Sequence, residues 1–214
     1  VCRSVLAIRS KGRCTLNPEE TAVVLIEFQN EFCKPGGGLY EAVKDVIEKN
    51  QTIPNTVDLV QKARAKGVLI LHIPIFFDEG YPELSEASYG IFQAVKDGKT
   101  FRKGTWAAQI IDELTPQPGD VVVEGKRSVD AFTSTNLDFI LRQRGIKNVA
   151  IAGFLTNVCV ESTARTAYDR GYHVITLIDC TGSASWDIQG FTTTVNFPVF
   201  SRPMKHDEFL AQLE

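Results

Sequence analysis

Five short runs of apolar residues punctuate the chain: 22–26 (AVVLI), 68–73 (VLILHI), 121–123 (VVV), 149–152 (VAIA) and 174–178 (VITLI). Almost every position in them is apolar, with no polar alternation, which marks strands buried on both faces. Between them the period lengthens to that of a helix. Residues 53–67 set Ile53, Val57, Val60 and Ala63 on one stripe and close on Gly67, and 135–145 carry Leu137, Ile140 and Leu141 up to Gly145. Beyond Cys159, the positions Val160, Thr163, Ala164, Ala167 and Tyr168 share a helical face that stops at Gly171. Strands alternating with helices predict a single α/β domain built on a parallel sheet with helices on both faces.

Two stretches break the pattern, about 28–50 and 76–106, and hold much of the Gly and Pro, including KPGGG and DEGYPEL. They read as long loops, which in a compact domain more often carry function than not. There is no internal repeat, low-complexity tract or linker, so one domain is expected over 1–214, with 1–14 as an N-terminal extension.

Composition narrows the function classes. At 214 residues and 43% hydrophobic, the chain is long enough for a large core. A formal net charge of −3 gives no electrostatic case for nucleic acid or an anionic membrane. No apolar run approaches the roughly 20 residues of a membrane span, and the opening VCRSVLAIRSKGRC has no signal-peptide core. Five cysteines, at 2, 14, 33, 159 and 180, form an odd set without framework spacing. Reduced thiols and a cytoplasmic location are the expectation.

In open parallel sheets ligands gather beyond the carboxyl ends of the strands. Glu27 directly follows AVVLI, Lys126 follows VVVEG, and Cys159 follows VAIAG and a short connection, at the start of a helix. A thiol to attack, a carboxylate to take its proton and an ammonium to favour the thiolate make a nucleophilic constellation. The helix N-terminus adds partial positive charge. This arrangement predicts a thiol pKa below the usual value of about 8.5. The alternative for each residue is ordinary: Cys159 a small buried hydrophobe, Glu27 and Lys126 solvated strand-end charges.

The segments LIEFQNEF, GKRSVDAF and GFLTNVCVESTARTAYDRGY resemble the three signature segments of the isochorismatase-like cysteine hydrolases, in order, and the likeness runs from about Thr15 to the C-terminus. The resemblance implies a six-stranded Rossmann-type parallel sheet, its last strand near FPVFS, and hydrolysis of a non-peptide C–N bond through a thioester. Carried over by position, Cys159 is the nucleophile, Lys126 the positioning cation and Glu27 the acid/base. A cis peptide is implied between Phe154 and Leu155, turning the N–H groups of Leu155 and Cys159 toward an oxyanion.

Glu27 stands where most relatives have Asp; Gln29, Asn30 and Phe32 around it still match, which favours a pocket built for the longer side chain over a drifted activity. Metal-binding nicotinamidases of the family take ligands from the segment after the second strand. That segment here offers only His72, with His173 and His206 far along the chain, so no metal and no cofactor is expected. The stretch 103–168 is nearer to the ureidoacrylate-type amidases, which implies a small ureido or amide substrate. A retained Cys159 argues against vinyl-ether cleavage of the isochorismatase type. A non-hydrolytic thiol-redox or small-molecule-binding protein of the same fold is the competing reading, and Cys33 and Cys180 are candidate partners for it on the same side of the sheet. Gln29, Phe32, Trp106, Phe76, Tyr81 and Thr156 are candidate substrate contacts, and His72 reads as a hydrogen-bonded core histidine. The aromatic segment 76–106 predicts a homodimer or larger homo-oligomer.

Overall fold

The structure, a computed structural model, describes residues 15–214. The expected extension, with Cys2 and Cys14, lies outside the described residues. Six strands, β1 (Thr21–Ile26), β2 (Leu69–Ile73), β3 (Val121–Val122), β4 (Asn148–Phe154), β5 (His173–Gly182) and β6 (Arg202–Met204), form one sheet in the order β3-β2-β1-β4-β5-β6. Every pairing in it is parallel. The helices, in chain order, are α1 (Asn30–Cys33), α2 (Tyr40–Lys49), α3 (Thr52–Ala65), α4 (Gly90–Gly98), α5 (Leu137–Gln143), α6 (Glu161–Asp169), α7 (Trp186–Phe191), α8 (Phe197–Phe200) and α9 (His206–Leu210).

β1 is buried at all six positions, and its side chains divide the core. Val23 and Leu25 pack with α2, α3 and α9 through Val43, Leu59 and Phe209, whereas Ala22, Val24 and Ile26 pack with α5, α6 and α8 through Leu137, Ala164 and Phe197. This two-sided burial is why the strands read as unbroken apolar runs. The chain lays down β2 and β3 on one side of β1, then returns to lay β4 and β5 on the other. The crevice between the ends of β1 and β4 is therefore the switch point where such sheets bind ligands.

The two strands approach there more closely than a side chain permits. Gly153 has φ +130°, and a Cβ on it would stand 2.0 Å from the Ile26 carbonyl oxygen. β5 is irregular opposite this point: the pairing passes from Ile151↔Thr176 to Gly153↔Thr181. Side-chain amides serve the carbonyls of the displaced residues, Asn50 donating to Ile178 and Thr181 and Asn55 to Asp179.

Some local expectations are corrected. The last strand implied near FPVFS is present, although FPVFS itself contains α8, with Phe197 and Phe200 three apart and both buried. The strand β6 follows it. The stretches read as loops contain α1, α2 and α4; in α2, Val43, Val46 and Ile47 form a buried stripe masked in sequence by the nearby glycines. Tyr168 faces solvent, beyond the edge of the apolar stripe of α6. Among the described residues, no helix is long and apolar enough to cross a membrane.

Candidate active site

Glu27 leaves the end of β1 with φ +57°. Its N–H still donates to the Ile73 carbonyl (3.1 Å), and its carbonyl accepts from the Gln29 N–H (2.7 Å). A left-handed conformation costs a non-glycine residue about 1–2 kcal/mol, and such strain concentrates at functional sites.

Lys126 follows Gly125, whose φ of +92° and closeness to the Ser134 carbonyl leave no room for a Cβ. The segment after it is bonded to itself: the Asp130 carboxylate accepts the N–H groups of Phe132 and Thr133. The Lys126 side chain is wholly buried, and its Nζ donates to the carbonyls of Ser128 (2.5 Å) and Val129 (3.3 Å). It also lies 2.6 Å from Glu27 Oε1. That oxygen has no well-aligned hydrogen-bond donor among the described residues, so charge attraction, more than an aligned bond, holds the pair.

Cys159 is reached from β4 through the cis peptide Phe154–Leu155 and lies in a π-helical turn, Thr156–Val160, that leads into α6. Thr163 ties this turn to the Lys126 segment. Its hydroxyl donates to the Cys159 carbonyl (2.6 Å) and accepts the Ala131 N–H (3.0 Å).

Electrostatics at the site correct one expectation. Burial pushes the Cys159 thiol up, the Glu27 carboxylate pushes it further, and Lys126 and the Leu155 backbone N–H offset only part of this. The resting sulfur holds its proton, because removal from water outweighs the helix terminus and the ammonium. Burial pushes the Lys126 ammonium down, but the Glu27 carboxylate beside it favours the charged form and the net shift is upward.

Glu27 and Cys159 open into a cavity of about 170 Å³. Phe32, Val43, Phe77, Val95 and Phe101 are among its walls, and among the described residues no Lys, Arg or His side chain lines it. Phe32 is the one candidate substrate contact found on this wall. Gln29 is withdrawn, its amide bonded to the Ile75 backbone and the Ala108 carbonyl. Thr156 donates to Gln189, and the Tyr81 hydroxyl to the Thr100 carbonyl. Trp106 is half exposed, against Gly36, and Phe76 points away where its neighbour Phe77 points in. Sequence reasoning missed Phe101, Val95 and Val43. The helical spacing of Val43, Val46 and Ile47 was the available signal for the last.

The other titratable groups are tied elsewhere. His72 contacts Asp120 (3.3 Å). Asp179, Cys180 and His206 bring ligand atoms within 4.8 Å of one another. Both His206 ring nitrogens face carboxylates, Asp179 at 2.7 Å and Asp58 at 3.3 Å, and its backbone N–H also bonds Asp179. The cluster anchors α9 to β5 and α3. Cys33 and Cys180 belong to the core on the opposite face of the sheet from Cys159, which corrects the expectation that they share its side.

A parallel α/β sheet with a thiol, a carboxylate and an ammonium gathered at its switch point is the architecture of a hydrolase. The isochorismatase domain matches residues 21–208, and the chain belongs to that family. It is 36% identical over 197 residues to the ureidoacrylate amidohydrolase RutB of Rhizobium rhizogenes, covering 87% of this chain and 80% of that protein. In structure it resembles a cysteine hydrolase from Pseudomonas syringae pv. phaseolicola, with TM-score 0.81, 28% identity and coverage of 95% of this chain and 98% of the other. N-carbamoylsarcosine amidase from Thermoplasma acidophilum is also similar, with TM-score 0.67, 25% identity and coverage of 88% and 97%.

Proposed function

We propose that the protein is a cysteine hydrolase that cleaves a C–N bond of a small amide or ureido compound through a thioester on Cys159. The observation that carries this reading is the meeting of the Cys159 thiol and the Glu27 carboxylate at one cavity, with Lys126 2.6 Å from Glu27. The similarity to an amidohydrolase and an amidase supports the bond type.

Because the resting sulfur is protonated, attack needs a base in place, and Glu27 is that base. It takes the thiol proton as sulfur bonds to the carbonyl carbon. The oxyanion forms beside the N–H groups of Leu155 and Cys159. Collapse breaks the C–N bond, and the nitrogen leaves with the proton from Glu27. Water then attacks the thioester, giving its proton to Glu27, and the sulfur departs and is reprotonated. Lys126 keeps Glu27 in place and favours the transient thiolate. Among the described residues the three cysteines are free and buried, which suits a reducing cytoplasm.

Intact-mass spectrometry during turnover of a panel of small amides tests the reading. A Cys159 acyl adduct in the wild type and no turnover by Cys159→Ala are the expected results. Unchanged turnover in Cys159→Ala would sink it.

A further inference from the structure

The cavity at Cys159 and Glu27 has walls that are almost entirely apolar. Its wall is built from Phe32, Val43, Phe77, Val95 and Phe101, and its polar side chains besides Glu27 and Cys159 are the hydroxyls of Ser128 and Thr100. Of the cations nearest along the chain, Lys126 faces Glu27 at 2.6 Å and Arg127 bonds Glu83 at 3.0 Å, whereas Arg102, beside the wall residue Phe101, keeps a buried Nε without a hydrogen-bond partner among the described residues but does not itself line the cavity. Among the described residues no cationic side chain lines the cavity, so a substrate carboxylate there would meet no cation on its walls and would share the site with the Glu27 carboxylate. Buried charge without a partner is strongly disfavoured. An apolar group meets the opposite situation, an aromatic and aliphatic enclosure in which every wall contact is favourable. At about 170 Å³, the space resembles apolar cavities of roughly 150 Å³ that take up benzene.

We infer that the substrate is an uncharged amide whose non-reacting part is apolar and about the size of a phenyl or branched butyl group, and that substrates carrying a carboxylate are rejected. This rests on the C–N hydrolase reading and separates the chain's specificity from the acidic compound in the name of its ureidoacrylate-hydrolysing relative. Phe101 and Val95 form the selective wall together with Phe77.

The test compares phenylacetamide and isovaleramide with ureidoacrylate and N-carbamoylglycine, following substrate loss by mass spectrometry. The neutral pair should show kcat/KM higher by about 100-fold or more, the scale of leaving one buried charge unpaired. Equal values, or a preference for the charged pair, would overturn the inference. If turnover by the charged pair also required Cys159, the hydrolase reading would stand. Should none of the four be turned over, calorimetric binding of the same compounds decides. Binding of the neutral pair alone upholds the inference. Equal or tighter binding of the charged pair, or no binding of the neutral pair, overturns it.

Discussion

Glu27 pulls the reactivity of Cys159 in two directions, and the two can be measured apart. Its carboxylate raises the thiol pKa, while Lys126 lowers it. Glu27→Gln removes the raising charge and leaves Lys126 with the Ser128 and Val129 carbonyls it already contacts. Iodoacetamide should therefore alkylate Cys159 faster in Glu27→Gln than in the wild type at pH 8, even as kcat/KM on an amide falls by about two to four orders of magnitude with the general base gone. Glu27→Asp should also lose activity, by about 100-fold, because it withdraws the carboxylate by about 1 Å. Undiminished turnover in Glu27→Gln would remove Glu27 from the proton path, and slower alkylation would overturn the reading that its charge raises the thiol pKa. The reach of the glutamate was not legible in the sequence, since it depends on a left-handed φ at the end of β1. Nor was the direction of the thiol shift, because helix position and charge neighbours can be read from sequence whereas burial cannot.

At the scale of elements, the central strands and the helices α3, α5 and α6 were legible because each buries a regular period of side chains. The helices α2 and α4 were obscured by adjoining glycines, and α8, at four residues, is too short to show a period. Three of the wall residues, Phe77, Val95 and Phe101, lie in the stretch read as a loop, so most of the cavity was illegible even though its reacting groups were not. One edge of the sheet carries a pH dependence of its own. Asp120, just before β3, takes a bidentate pair of bonds from Arg64 on α3, at 3.2 and 2.7 Å, and meets His72 on β2. Burial pushes the His72 pKa down, and Asp120 offsets only part of this. Burial pushes Asp120 up, but Arg64, the Gln117 N–H and His72 together hold it below the ordinary value. Both groups bind protons more readily in the unfolded chain. The His72 contribution to stability is thus complete above about pH 6.5 and is lost as pH falls through its folded value; the Asp120 contribution is complete above about pH 3.9 and is lost lower still. Urea midpoints should fall for the wild type between pH 7.5 and pH 5, and His72→Gln should flatten that slope. Identical slopes in the two proteins would exclude His72 as the source.

For the whole molecule, the remaining question is what covers its exposed apolar surface. Trp186, Ile188, Phe191, Val195 and Val199 are each between 37% and 59% exposed, and they follow one another along α7, the turn after it and α8. The stretch 76–106, from which association was expected, contributes Tyr89 at 84%, Ile91 at 39% and Trp106 at 50%. Scattered apolar residues on a surface need no explanation, but a consecutive run on one helical segment is the kind of patch that marks an interface. A stable contact buries about 1,200–2,000 Å² in total, and isologous pairing of two copies through such a segment is the commonest way to build one. We expect the chain to form a homodimer through the segment 186–199, and light scattering at micromolar concentration should give about twice the 23.7 kDa of one chain. The double substitution Phe191→Glu and Val195→Glu places two like charges on that face and should return the mass to that of one chain. Because both side chains are half exposed in the single chain, folding monitored by circular dichroism should persist in the monomer. A wild-type mass of one chain would refute dimerisation, and a charged variant that stays dimeric would move the interface to the surface around Tyr89 and Trp106.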